Sequence, residues 1–512
     1  MVTAIDPQTL PASVSRERPV AAADVSVVLG YYVEAAFGDV LRAELGKKAG
    51  KKTAGHRIAH LLQNEIRIAL KERLPLQPGV DLNEMLSDPT YLARIGEVIR
   101  ERLIGGSDAP SLRIAPKPLG RVEADPLLKD GVNFGLIFGA ETIYFQDTVQ
   151  AFQTDEIRSR PERAGSVHVL GVHADWLSDD GRKAHRALML DATGSVLERS
   201  FAHAVALDVV AVLHLPRSGE RDLHKKLSAQ YEHIGLPQIN PYEASRRADD
   251  KVRTHRLWEG RVPSVRAVRI LGSNPERTLG AMLEAWPDQG CAVVAQPNMG
   301  TEGDRVARFE ATAYPEIARY IRDRIGSDSE ALIREERGNV RYFPETEKEK
   351  GYRRIALRIN VAWNGRDFVA ESGYAQVAPD EDHFVASRGQ GGTLVPLSTA
   401  LAHLYRATDG GWVRTTPNDG DLARIRQTAV YAAQALNEGL AESEYVKLLG
   451  IDLLIEADEA GGFSVLALEA NPRPAGLAQS WELPRTLRDA VEPKVTFGLF
   501  DFIRDQGSKS RD

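Results

Sequence analysis

Apolar and polar positions along this chain change period several times, and the changes mark its elements. Near the end, apolar residues flank Asp452 and run again from Val465 to Leu468, with a polar stretch, Glu456 to Gly462, between them. That pattern predicts two strands joined by a turn. Ile355 to Trp363 and Phe368 to Val377 are likewise apolar runs on either side of Asn364-Gly365, a strong hairpin signal. Asp208 to Leu215 reads as a strand, Leu223 to His233 as a helix, and the Ala248 to Trp258 stretch as a further helix. Strand–helix–strand order of this kind suits a βαβ unit of an open sheet. Val132 to Gly139, Val167 to His173 and Ala187 to Leu190 add strands upstream, and Asp191-Ala-Thr-Gly-Ser signals a turn. Val25 to Leu45, Gly55 to Leu74 and Tyr91 to Leu103 carry apolar residues near helical spacing.

These elements predict an α/β protein with a helical N-terminal region. Residues 1–23 are polar and Pro-containing and read as a disordered lead, 24–104 as the helical region, and 105–130, rich in Gly, Pro and charge, as a linker. An α/β domain is expected over 131–245 and a second over 246–505. No internal repeat is visible. The 512 residues suffice for two or three domains. A single cysteine, Cys291, excludes an internal disulfide framework and fits a reducing, cytoplasmic setting. In an apolar strand it reads as a core residue rather than a nucleophile. A net charge of -7 exerts no general pull on nucleic acid. No apolar run has the length of a membrane span, and the start lacks the layout of a secretory signal. The basic tract Lys47 to Lys52 reads as a solvated loop or a docking point for an anionic partner. His168, His173, His203 and His214 match no zinc spacing and read as structural.

Two stretches carry candidate chemistry. If the last two strands pair, Asp452 and Glu469 can lie side by side, and Glu469 and Asn471, two apart, share one face. Two carboxylates and an amide oxygen suit Mg²⁺, with substrate phosphates completing its shell. Exposed acids at the end of an ordinary hairpin are the plainer alternative. The second stretch, Gln296-Pro297-Asn298-Met299-Gly300-Thr301-Glu302-Gly303, follows an apolar strand. Its glycines, Gly300 and Gly303, would let backbone N–H groups approach phosphate oxygens, or simply form a surface turn.

The hydrophobic strand ending Leu468-Glu469-Ala470-Asn471-Pro472 resembles the magnesium-binding end of the ATP-grasp ligases, in the form found in D-alanine–D-alanine ligase-like enzymes. The resemblance covers about half the chain, from near Asp208 to near Phe502. It implies a pre-ATP-grasp α/β domain followed by an ATP-grasp domain of α+β character, with ATP and Mg²⁺ bound. It implies that Lys251, in the pair Asp250-Lys251, reaches the ATP phosphates; a solvated basic helix face is the alternative. Where the family's strand ends Lys-Pro, this chain has Gln296-Pro297, a hydrogen-bond donor without charge. A cation supplied from elsewhere, such as Arg305 or Arg308, is one resolution. Arg388, before Gly389, stands where the family places an arginine near the transferred phosphoryl group. Arg473 could hold a substrate carboxylate through a bidentate pair, or form a surface salt bridge.

The resemblance therefore implies an ATP-dependent carboxylate–amine ligase. Catalytic residues would be Lys251 and Arg388; Lys251, Gln296, Gly300 and Gly303 would bind nucleotide; Asp452, Glu469 and Asn471 would bind metal; and Arg473 would bind substrate. Expected partners are a small-molecule carboxylate and amine, amino acids or peptides among them. The N-terminal helices leave room for a homodimer or a docking partner. Two rivals remain open: an ATP-grasp kinase acting on a hydroxyl, and a nucleotide-binding protein with a weakened site.

Overall fold

The computed structural model describes residues 131–139, 166–190, 196–213, 218–285, 292–300, 305–310, 312–327, 329–387, 390–472 and 497–509, with 128, 149, 152 and 303 singly. The expected N-terminal lead and helices, most of the linker, Cys291, Arg388 and Arg473 lie outside these residues. The fold is α/β, and the chain divides into two compact units.

In the first unit, β1 (Val132–Phe138) is buried at every position. It pairs in parallel with β2 (Val167–His173) and β5 (Val209–Leu213). Continuous apolar runs are what parallel strands covered on both faces require. β3 (Lys183–Leu190) and β4 (Val196–Ala206) extend the sheet in the order β4-β3-β2-β1-β5, with antiparallel pairing. The β4 strand was not visible in the sequence pattern. Asp208, just before β5, ties the start of β1 by accepting a hydrogen bond from the Asn133 backbone N–H at 2.7 Å.

The second unit opens with α1 (Ser218–His233), β6 (Gln238–Ile239), α2 (Tyr242–Asp249) and α3 (Lys251–Trp258). The single helix expected around Ala248 is two helices, because Asp250 takes an extended ψ of 95° and caps α3, its Oδ1 accepting from the Arg253 N–H at 2.9 Å. A four-stranded antiparallel sheet follows, built from β7 (Ala267–Leu271), β8 (Ala292–Pro297), β9 (Ala307–Glu310) and β10 (Glu330–Glu335) in the order β7-β10-β8-β9. One face packs Ile270, Val293, Ala295, Ala331 and Ile333 against Leu279 and Ile317 of the neighbouring helices α4 (Pro275–Ala285) and α5 (Tyr314–Tyr320). By strand alternation, Gln296 and Arg334 belong to the other face.

A small sheet joins β11 (Val340–Tyr342) to two later strands, β15 (Leu404–Thr408) and β16 (Gly411–Thr415). A five-stranded sheet is antiparallel, in the order β14-β13-β12-β17-β18. Its strands are β12 (Ile355–Trp363), β13 (Phe368–Val377), β14 (Thr393–Pro396), β17 (Leu448–Ala457) and β18 (Phe463–Asn471). The Asn364-Gly365 hairpin forms as expected, with Trp363 opposite Phe368 and Gly365 at φ 94°. A 19-residue helix, Asp419–Asn437, starts with a reciprocal cap between Asn418 and Asp421. It covers one sheet face through Ala429, Ala433, Leu357, Ile359, Leu453 and Ile455. The opposite face carries a smaller apolar cluster of Ala356, Leu454 and Val265, and also Arg358 and Asp452, which face each other across β12 and β17.

Candidate active site

The β17–β18 hairpin pairs Asp452 directly with Glu469 and Gly450 with Asn471. A register shift between Asp452 and Leu453 makes this face possible. Phe463, Val465 and Ala467 alternate into the helix-covered core, and unbroken alternation would send Glu469 there as well. The bulge adds one residue at Leu468, so Ala470 takes the core position and Glu469 and Asn471 turn to the Asp452 side. Asn471 Nδ2 donates to Asp452 Oδ2 at 3.2 Å. The three residues expected to bind metal are therefore together on one face.

Asp452 already has a partner that sequence reading did not assign. Arg358, directly opposite on β12, donates from Nε to Oδ1 at 2.6 Å and from Nη2 to Oδ2 at 2.7 Å. Burial opposes the Arg358 charge, but Asp452 outweighs it and the arginine's pKa is raised. Burial raises the Asp452 carboxyl too, and the guanidinium's pull does not fully offset it. Gly450 makes the space: a Cβ there would lie 3.0 Å from Arg358 Cδ.

Asn240 holds the open end of the hairpin. Buried, and at φ 52°, it accepts through Oδ1 from the backbone N–H of Lys447 (2.7 Å) and Leu448 (3.0 Å). Its Nδ2 donates to the carbonyls of Leu448 and Pro472. One side chain thus ties the start of β17 to the residue after β18.

Lys251 sits in the first turn of α3, only 7% exposed. Its Nζ donates to the Gly300 carbonyl at 2.7 Å and lies 3.3 Å from Glu469 Oε1. Three positions expected from distant parts of the sequence therefore meet. Asn298 fixes the loop to the helix, accepting from the Val252 N–H at 2.9 Å and donating to Glu330 at 2.9 Å. Gly303, at φ 71°, approaches the stretch that flanks Arg388: a Cβ there would lie 2.8 Å from Val385 Cγ1 and 3.4 Å from Gln390 Cγ. A separate cavity of about 710 Å³, lined by Tyr242, Arg246, Asp250, Asn298 and Met299 among others, lies against this loop but includes none of the hairpin's polar residues.

Gln296 is buried, opposite Leu332. The two cations considered as substitutes are engaged otherwise: Arg308 pairs with Glu310 and Glu336, and Arg305 reaches the Ile325 carbonyl. Arg334, which the sequence reading passed over, is buried on the Gln296 face; burial lowers its pKa to about 10, and the Glu469 charge opposes that shift. His255 is pushed down to about 4 by burial, with Arg334 adding to the shift, so it is neutral near pH 7. Among the described residues no three His, Cys, Asp or Glu side chains gather as a metal cluster. Two carboxylates and an amide are nevertheless an oxygen donor set that fits Mg²⁺. No helix among the described residues is long and apolar enough to cross a membrane.

No protein-family model matches the chain, and no curated protein does. Among solved structures it is similar to D-cycloserine synthetase DcsG, at 14% identity and TM-score 0.41, over 73% of this chain and 99% of that one. It is also similar to D-alanyl-alanine synthetase A from Vibrio cholerae (13%, TM-score 0.42, 74% and 99%). A third likeness is to the ATP-grasp ligase PsnB complexed with minimal precursor (14%, TM-score 0.38, 74% and 99%).

Proposed function

We propose that this protein is an ATP-dependent carboxylate–amine ligase. A substrate carboxylate oxygen attacks the γ-phosphorus of ATP and ADP leaves; the amine then attacks the acyl carbon and phosphate leaves, forming an amide. The observation that supports this is the meeting of Lys251, the Gly300 loop and the Asp452–Glu469–Asn471 face in one place. Lys251, held by the Gly300 carbonyl and Glu469, presents a positioned charge for phosphate oxygens. The Gly300–Gly303 loop brings backbone close to the same place. Asp452, Glu469 and Asn471 would hold Mg²⁺, which when bound neutralises phosphate charge. Arg388 is assigned to stabilise charge on the transferred group and Arg473 to bind a substrate carboxylate. A protein nucleophile is not needed.

Two observations favour a second reading, a nucleotide-binding protein with a weakened site: Gln296 is uncharged, and both Asp452 oxygens are taken by Arg358. ADP release from purified protein, screened against amino acids singly and in pairs with Mg²⁺, separates the two. With the right acid, added hydroxylamine is expected to trap a hydroxamate. ADP release with a stable phosphate ester and no amide or hydroxamate would replace the ligase with a kinase. Nucleotide binding without turnover under any pair would leave the binding protein.

A further inference from the structure

The charge missing at Gln296 has a counterpart one strand away. β10 runs antiparallel to β8, with Leu332 opposite Gln296 and Arg334 opposite Val294. Arg334 therefore shares the Gln296 face and sits diagonally from it, at the roughly 7–8 Å spacing of such neighbours. The residue before each of them, Ala295 and Ile333, belongs to the core on the other side. Arg334 is only 9% exposed, and its Nε has no hydrogen-bond partner. Among the described residues its guanidinium makes no ion pair, whereas Arg266, Arg308, Arg337, Arg353, Arg354 and Arg358 each have a carboxylate.

Buried charges in proteins are normally paired and hydrogen-bonded, because an unpaired one loses its hydration with nothing in return. Glu469 and Glu336 both attract Arg334, but Glu469 is 3.3 Å from Lys251 and on the expected metal face, and Glu336 pairs with Arg308 and Arg354, so both are shared. Arg354 is close enough to repel Arg334. A buried guanidinium whose nearby carboxylates are held by other cations, and whose Nε–H is unsatisfied, suits an anion from outside the chain. Its planar fork matches phosphate oxygens.

We infer that Arg334 binds the phosphates of the nucleotide, replacing across the strand pair the charge that Gln296 does not supply. The inference rests on the ligase reading's nucleotide site and adds a residue to it. It makes Arg334 stabilising only when ligand is bound: in the free protein its burial is a cost.

Calorimetry of the full chain with ATP and with adenosine, with and without Mg²⁺, tests this alongside thermal melting. Arg334→Gln is expected to weaken ATP binding by about 10- to 100-fold, the value of a charged hydrogen bond, and to leave adenosine binding unchanged. Its melting temperature without ligand should equal or exceed that of the wild type. Adding Gln296→Lys to Arg334→Gln should restore most of the ATP affinity, since the charge returns to the same face. A structural role predicts the reverse: a lower melting temperature, ATP affinity unchanged, and no rescue. That result, or equal losses for ATP and adenosine, overturns the inference while leaving the ligase reading in place. Wild-type protein that binds no ATP at all removes both.

Discussion

Removing Arg358 should unfold the protein more readily, and the size of the effect can be worked out. In Arg358→Met the side chain keeps an apolar stem but loses the guanidinium and with it both hydrogen bonds to Asp452, at 2.6 and 2.7 Å. Both side chains are nearly buried, at 11% and 10% exposure, so water cannot replace the lost partner. Breaking a buried pair from one side costs about 3–5 kcal/mol. Asp452 keeps the Asn471 hydrogen bond, and burial already raises its carboxyl pKa, so protonation limits the penalty. The lower end, about 3 kcal/mol, is therefore expected, a fall in Tm of about 6–12 °C for a unit of this size. The assay is thermal unfolding at pH 7. Arg358→Met with Asp452→Leu should regain most of the loss, because no orphaned acid remains. Mg²⁺ should raise the Tm of the single variant, since Asp452 is then open to the ion, and leave that of the double variant unchanged. A single-variant fall below about 1 °C, or a double variant no better than the single, refutes the reasoning.

Glu469→Gln should abolish turnover while Tm stays near wild type; wild-type ADP release at subsaturating Mg²⁺ would reject the metal assignment. Asn240→Ala removes all four clamp hydrogen bonds and strands two buried backbone N–H groups, so a loss of about 3 kcal/mol or more is expected in urea unfolding, with Asn240→Asp milder because its acceptor remains; a loss under about 1 kcal/mol rejects the clamp. Burial lowers the Lys447 pKa from 10.5 to about 8, so between those values the unfolded chain holds more protons. Wild-type stability relative to Lys447→Met should therefore be flat below pH 8 and rise by up to about 3 kcal/mol as pH increases towards 10.5; a falling difference in that window contradicts a buried lysine.

Much of this was legible in sequence because it depends on local period and turn chemistry. Asn364-Gly365 specified a hairpin, and apolar runs around Asp452 and Val465 specified two strands whose pairing set Asp452 against Glu469. The Asp250-Lys251 pair marked the lysine that meets Glu469, though not the helix break that Asp250 makes. Other features were not legible, since no local pattern contains them. The bulge at Leu468 is foreshadowed only by the core positions shifting from Ala467 to Ala470, and its effect depends on which face the helix covers. Arg358 and Arg334 look in sequence like ordinary strand arginines. Strand order makes them what they are: β12 beside β17 brings Arg358 onto Asp452, and β10 beside β8 sets Arg334 on the Gln296 face. Sequence alone determined which residues alternate together along the regular stretches of strand. Only the tertiary structure decided which strands became neighbours, and with them which buried charges found partners, because cross-strand pairing joins positions whose separation along the chain carries no signal.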